Sequence, residues 1–228
     1  MYERSDPLFA LNPLPESPVR GAFVFGAPRG GTSMVAGVLR LMGVDMGDRQ
    51  GRGNNEDLDI QDARGPAGPL GNSASPEYQD ALDRMRPLIQ ARATADAPWG
   101  WKDPHGVLYA RDIIQHLPAP RIIAVFRDAA ASAERVHKIN GADRLGEMTN
   151  ALDLYSRATR FLNETQAPSA IVSYEKVLVR PKSFVEQIAA FCGVPVSDEQ
   201  MAQCLDFISP ERGHGDPESP GWPREGAL

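Results

Sequence analysis

Short apolar runs alternate with segments of helical periodicity along most of the chain. The runs predict buried strands, and the periodic segments predict amphipathic helices. The predicted strands are residues 21–26, 99–102, 121–127 and 169–175. The predicted helices are residues 33–43, 76–94, 107–117, 129–139, 147–163, 181–192 and 197–208. Because apolar strands that alternate with helices are covered on both faces, this pattern predicts an α/β fold, a three-layer α/β/α arrangement around a central, mainly parallel sheet.

Three segments lack this periodicity. Residues 1–20 are rich in proline, and we expect them to be extended. Residues 44–75 contain many Gly, Asn, Asp and Pro residues, and an aperiodic stretch of this length is usually functional or mobile. Residues 209–228 form a turn-rich tail. None of these segments marks a domain boundary, so we expect a single domain over residues 1–228.

Composition and charge narrow the possible partners. The chain has 228 residues and a net charge of −6, which argues against a nucleic-acid-binding protein but leaves small anions possible. There is no signal-peptide pattern and no apolar stretch of membrane-spanning length, so we expect no membrane association. The two cysteines match no metal-ligand spacing and favour a reducing, cytoplasmic location. The sequence does not predict the oligomeric state.

The segment GAPRGGTS, residues 26–33, has the spacing of a phosphate-binding loop. Such a loop directs backbone N–H groups at one point, and the following helix adds the positive end of its dipole. Thr32 stands where the usual G-x-x-x-x-G-K-[ST] pattern has lysine, and Arg29 supplies a cation three residues earlier. The loop therefore predicts a phosphate or sulfate site. The alternative is a tight strand–helix turn with a solvated Arg29.

A second cation follows the strand RIIAVF at Arg127. Nucleoside triphosphate enzymes of this loop class hold magnesium with an acidic residue after a second strand, whereas an arginine there suits an anion. Asp128 is suited to cap the following helix, on which Arg135 and Lys138 lie. We therefore expect two anion-binding positions and no metal. The alternative for the basic residues is a solvated face.

Four segments carry a resemblance to a known family: GAPRGGTSMVAGVLRLMGV, WGWKDPH, RIIAVFRDAAASAERV and IVSYEKVLVRPKSFVEQIAAFCGV. In this order they resemble sulfotransferases that use 3′-phosphoadenosine-5′-phosphosulfate (PAPS), bacterial members in particular. The resemblance covers roughly residues 21–194. It implies a P-loop fold and transfer of a sulfuryl group, without a metal, to a hydroxyl or amine. The acceptor would be a small molecule or a carbohydrate, and the second product would be 3′-phosphoadenosine-5′-phosphate (PAP).

The resemblance also implies which residues hold PAPS. The 5′-phosphosulfate loop would comprise Pro28, Arg29, Gly30, Gly31, Thr32 and Ser33. Arg127 matches the arginine that holds the 3′-phosphate. The family usually has a serine eight residues further on, where this chain has Arg135, and Ser132 is available nearby. Arg212 and Gly213 resemble the segment that closes over the 3′-phosphate. Tyr174 and Glu175 match a common pair that we interpret as structural support.

Four residues are candidates for the chemical step. Arg29 and Lys102 would meet the charge that develops on the leaving phosphate. For Lys102, the alternative is an ordinary surface lysine. The resemblance implies as general base His105, which lies three residues after Lys102, or Glu56 in the segment of residues 44–75, with Asp59 and Asp62 as substitutes for Glu56. The alternative for both is a solvated side chain that takes no part in the reaction.

Two other functions remain open at this stage. One is a phosphotransferase or nucleotide kinase of the same loop class, which would need magnesium and a substitute for the missing lysine. The other is a non-catalytic protein that binds a nucleotide or a partner with the same fold.

Overall fold

A mainly parallel sheet forms the centre of the molecule. The computed structural model describes residues 6–14, 16–47, 49, 55–66, 68–94 and 96–208. Five strands lie in this part of the chain: β1 Leu8–Leu11, β2 Ala22–Phe25, β3 Gly100–Lys102, β4 Arg121–Phe126 and β5 Ser169–Ser173. Their order in the sheet is β1-β5-β4-β2-β3. The pairs β2–β3, β2–β4 and β4–β5 are parallel, and β1 is an antiparallel edge strand beside β5.

Nine α-helices surround the sheet in the described ranges. They are α1 Thr32–Leu41, α2 Leu58–Arg64, α3 Pro76–Ala93, α4 Ala110–Ile114, α5 Ala129–Asn140, α6 Arg144–Glu164, α7 Tyr174–Val179, α8 Pro181–Cys192 and α9 Asp198–Ile208. Short side chains at the N-caps satisfy the first free amides. Ser75 caps α3, Asp128 caps α5 and Asp143 caps α6. In the described part of the chain, no helix is long and apolar enough to cross a membrane.

The helices cover both faces of the sheet. Side chains of β2 alternate between these faces, as a strand requires. Val24 packs in an apolar cluster with residues of α1, α8 and α9, whereas Phe23 and Phe25 pack in a second cluster with residues of α3, α4 and α6. The structure therefore confirms the predicted α/β/α arrangement.

Several elements differ from the sequence-based expectation, and one of them is the strand β1, which lies in a segment expected only to be extended. The helix predicted over residues 107–117 is a 3₁₀ turn, Gly106–Leu108, followed by the short helix α4. The strand predicted to reach residue 175 ends at Ser173, and α7 begins at once. The aperiodic segment of residues 44–75 contains α2, in which only Ile60 and Arg64 are buried. With so few buried apolar positions, the period of α2 is not visible in the sequence.

The carboxyl ends of β2, β3 and β4 meet at one edge of the sheet, because these strands are parallel. Each end leads into a predicted site segment: the loop of residues 26–31 follows β2, Lys102 ends β3, and Arg127 follows β4. Ligands of open α/β sheets bind outside the carboxyl ends of the strands. The fold therefore places the three cations of the predicted site at one edge.

Candidate active site

The loop after β2 has a backbone that side chains would obstruct. A Cβ atom on Gly26 would lie 2.5 Å from the carbonyl oxygen of Val125, and Gly31 has a φ of 92°. Arg29 adopts a φ of 59°, which is unusual for a residue with a side chain. The Gly30 N–H donates to the Ala27 carbonyl at 2.9 Å and closes the turn.

The start of α1 leaves donors for an anion. The bond from the Met34 N–H to the Gly31 carbonyl, at 3.1 Å, is the first of the helix. The amides of Thr32 and Ser33 precede it, and first-turn amides of this kind have no partner within their own helix. Together with the helix dipole they make this end of α1 suitable for phosphate or sulfate.

Lys102 is buried at the end of β3, with 2% of its surface exposed. Its Nζ lies 2.8 Å from Oε1 of Glu56. Burial lowers the pKa of Lys102, the Glu56 carboxylate opposes this shift, and the positive charge of Arg29 lowers the pKa further. The charges of Glu56 and Arg29 thus both act on Lys102. A surface lysine, the alternative from the sequence, does not fit this burial.

Glu56 is held in place by its two neighbours. The side-chain amide of Asn55 donates to the Ser33 carbonyl at 3.0 Å, which ties this segment to the first turn of α1. On the other side, the Asp57 carboxylate accepts the amides of Asp59 and Ile60 as the N-cap of α2 and also pairs with Arg92. The aperiodic segment therefore contributes Glu56 to the site from a fixed position.

Asp103 fixes the turn that follows Lys102. Its Oδ1 accepts the His105 amide at 2.9 Å, and its Oδ2 accepts the Tyr109 hydroxyl at 2.9 Å. Arg64, at the end of α2, places Nε 2.8 Å from the same Oδ2. Asp103 and Arg64 are both buried. Because a buried pair of this kind is costly to break, the Lys102–His105 turn and α2 are held together.

His105 is half-buried in this turn. Burial lowers the pKa of its imidazole, Asp103 opposes the shift, and Arg64 contributes a further lowering. An imidazole whose pKa lies below its ordinary value is neutral near pH 7. It can therefore accept a proton, as a general base must.

The lowered pKa of His105 predicts a pH-dependent stability. The unfolded chain binds a proton on this imidazole at a higher pH than the folded chain, so protonation favours unfolding. The contribution of His105 to stability is present above the ordinary pKa of 6.5 and is lost as the pH falls through the lower folded value. His105→Gln should reduce the loss of unfolding free energy at low pH, as measured by denaturant titrations at several pH values. An NMR titration of the ring with a pKa at or above 6.5 would contradict the expectation.

Arg127 lies beside the loop of residues 26–31. Its backbone N–H donates to the Tyr155 hydroxyl at 3.1 Å, and its Nη1 donates to the Arg29 carbonyl at 2.9 Å. The guanidinium carbon lies 4.5 Å from the centroid of the Tyr174 ring. Its Nε is buried and has no hydrogen-bond partner among the described residues. A buried donor without a partner favours a bound acceptor, such as a phosphate oxygen.

The other residues predicted near the 3′-phosphate lie on α5 or beyond the described chain. Asp128 caps α5, as the sequence suggested, and the Ser132 hydroxyl donates to the Asp128 carbonyl at 3.1 Å. Arg135 is half-buried and has no hydrogen bond or ion pair within the described residues. Ser132 and Arg135 as phosphate contacts stay predictions. Arg212 and Gly213 lie outside the described residues.

Comparison with known proteins decides the family. The model of the "Sulfotransferase family" matches residues 21–198, which is most of the chain. The chain belongs to the sulfotransferase family. No curated protein sequence matches it.

Solved structures agree with this assignment at the level of the fold. Mouse sulfotransferase SULT7A1 complexed with PAP is similar with a TM-score of 0.53 and 13% identity, over 87% of this chain and 66% of that one. The sulfotransferase domain of the Synechococcus PCC 7002 olefin synthase has a TM-score of 0.50 and 17% identity, and the match covers 91% of this chain and 88% of that one. A sugar kinase from Janibacter sp. HTCC2649 has a TM-score of 0.50 and 14% identity, and the match covers 78% of this chain and 96% of that one. Because sulfotransferases and a sugar kinase share this fold, the fold alone does not assign the family. The assignment rests on the match to the family model.

Several residues of this sulfotransferase family member were not expected from the sequence. Asn55 directly precedes Glu56, and Asp103 directly follows Lys102. This adjacency is the one feature of the sequence that could have indicated their place in the site. Arg64 and Tyr155 contact the site from α2 and α6 through long-range packing. No local pattern marks either of them.

Proposed function

We propose that the protein transfers a sulfuryl group from PAPS to a hydroxyl or amine of a small-molecule or carbohydrate acceptor. The observation that carries this proposal is the convergence of Arg29, Lys102 and Arg127 at one edge of the sheet, from the ends of three strands. The buried Nε of Arg127, which has no hydrogen-bond partner in the described part of the chain, supports a bound acceptor beside Arg127, such as a phosphate oxygen.

The residues present fit PAPS in two places. The loop of residues 28–33, with its glycine backbone and Arg29, is suited to the 5′-phosphosulfate. Arg127 is suited to the 3′-phosphate, because a guanidinium binds phosphate with charge-assisted hydrogen bonds. Ser132, Arg135, Arg212 and Gly213 are proposed as further contacts on that side.

The chemistry divides between the leaving group and the acceptor. PAPS supplies a sulfuryl group attached to a phosphate leaving group. As that bond breaks, negative charge grows on the phosphate oxygen, and the cations of Arg29 and Lys102 stabilise it. The Glu56 ion pair holds the Lys102 ammonium before the reaction, and the loop fixes the backbone of Arg29, so little reorganisation is needed.

Glu56 and His105 are the two candidates for the base. Glu56 is 14% exposed at its side chain and is held beside Lys102, whereas His105 is kept neutral by burial. Either group can remove the proton of an acceptor hydroxyl. Glu56→Gln and His105→Gln, compared in the pH dependence of kcat/KM, separate them, since only the true base should remove the acidic limb of the profile.

A label-transfer experiment tests the proposed reaction. The protein is incubated with one pool of small-molecule and carbohydrate acceptors and with either ³⁵S-labelled PAPS or γ-³²P-labelled ATP with magnesium. We expect labelled product from PAPS alone, including in the presence of a chelator. Phosphoryl transfer from ATP without sulfuryl transfer from PAPS would assign the site to a phosphotransferase instead. The single-domain organisation and the cytoplasmic location stay predictions.

A further inference from the structure

The ring of Tyr174 lies between the phosphate loop and Arg127. One face supports the guanidinium, whose carbon is 4.5 Å from the ring centroid. On the loop side, a Cβ atom on Gly31 would overlap the ring carbons Cδ2 and Cε2. The ring therefore packs directly on the backbone of Gly31, and only glycine leaves room for it.

Arg127 contacts the same loop through a hydrogen bond. Its Nη1 donates to the Arg29 carbonyl, while the N–H of the same peptide unit, that of Gly30, donates to the Ala27 carbonyl. Both polar groups of the peptide between residues 29 and 30 are thus engaged. This peptide follows Arg29, whose φ of 59° is sparsely populated and needs support from its surroundings.

We propose that Arg127 and Tyr174 are positioning residues of the 5′-phosphate loop, in addition to the contact expected between Arg127 and the 3′-phosphate. The inference rests on the proposed function. Together they form a strut, defined here as the Tyr174 ring and the Arg127 guanidinium. The strut holds the 29–30 peptide and the backbone of Gly31 so that the amides of Thr32 and Ser33 point at the anion.

The strut couples the two phosphate positions of the cosubstrate. A guanidinium that binds the 3′-phosphate through its unpartnered Nε keeps its Nη1 bond to the Arg29 carbonyl. The loop is then most rigid when the 3′-phosphate is present. A ligand without a 3′-phosphate should still need the strut, because the bond to the Arg29 carbonyl exists without any ligand.

Hydrogen exchange in the ligand-free protein tests the strut directly. The reporter is the Gly30 amide, which is protected by its bond to the Ala27 carbonyl. We expect Arg127→Ala and Tyr174→Leu to speed its exchange about tenfold or more. Tyr174→Phe keeps the ring, and the Tyr174 hydroxyl makes no hydrogen bond within the described residues, so this variant should exchange like the wild type. Arg180→Ala, at the other end of α7, is the matched arginine control.

Binding of PAP and of adenosine 5′-monophosphate (AMP), which lacks the 3′-phosphate, separates the two roles of Arg127. Arg127→Ala should lower the affinity for PAP about ten- to a hundredfold and the affinity for AMP about tenfold. Tyr174→Leu should lower the affinity for both ligands by a similar factor. Tyr174→Phe and Arg180→Ala should leave both affinities unchanged.

Two results would overturn the strut: wild-type exchange at Gly30 in both Arg127→Ala and Tyr174→Leu, or an Arg127→Ala variant that loses affinity for PAP and keeps it for AMP. A wild-type protein that does not bind PAP would instead contradict the proposed function. The exchange measurement needs no ligand and still decides the strut in that case.

Discussion

Arg29→Ala is expected to reduce the rate of sulfuryl transfer about a hundredfold or more, the largest loss that we anticipate from a single substitution. Removal of one preorganised donor aimed at a developing negative charge costs about 3–4 kcal/mol of transition-state stabilisation. Arg29 is the only cation of the loop of residues 26–33, and its charge also acts on Lys102. The substitution leaves the loop glycines in place, so the fold should persist.

The measurement is kcat and KM for PAPS under saturating acceptor. We expect most of the loss in kcat, because the leaving group gains its charge only in the transition state. Arg86→Ala serves as the control and should retain the wild-type rate, because this half-buried arginine of α3 pairs with Asp83 at 2.7 Å. An Arg29→Ala variant with full kcat would remove Arg29 from the reaction.

Lys102→Met should also abolish most of the activity, and it should destabilise the fold. The substitution keeps an unbranched side chain of similar length in a buried position and removes the charge. Glu56 then loses its ion pair with Lys102, in which the charged atoms are 2.8 Å apart. Breaking a buried pair by removing one member costs about 3–5 kcal/mol, and the partial exposure of Glu56 places the expected cost at the lower end of this range or below it.

A double-mutant cycle separates the two effects of Lys102. Lys102→Met with Glu56→Gln removes both charges of the ion pair, so the double variant should recover part of the lost stability in denaturant unfolding. Activity should not recover above that of Glu56→Gln alone, which measures the loss due to the candidate base, since the cation that meets the leaving group is still missing. Recovery of activity together with stability would mean that Lys102 acts only in folding.

The architecture was predictable because it follows from local patterns. Buried parallel strands are short apolar runs, and β2 and β4 stand out in the sequence for this reason. The positions of the loop of residues 26–31 and of Arg127 were also predictable, since each directly follows such a strand, and phosphate binding there stays a prediction. The boundaries around α4 and α7 were not, because each of these helices has six residues or fewer and follows another element with almost no break.

The pairing of charges in the site could not be read from the sequence. Lys102 and Glu56 are 46 residues apart, and Arg64 reaches Asp103 from the end of a helix that the sequence did not indicate. Such contacts depend on how α2 packs against the end of β3. The sequence supplied Lys102, Glu56 and His105 as candidates through resemblance, and tertiary packing decides their burial and pKa shifts.

Calorimetric binding of PAP, compared with ATP and magnesium, tests the central claim most directly, because it needs no acceptor. The claim is that this edge of the sheet holds a nucleotide with separate 5′ and 3′ anionic groups, using arginine and backbone amides. We expect PAP to bind in the presence of a chelator, and ATP with magnesium to bind more weakly or not at all. Tight binding of ATP that depends on magnesium, with no binding of PAP, would contradict the account.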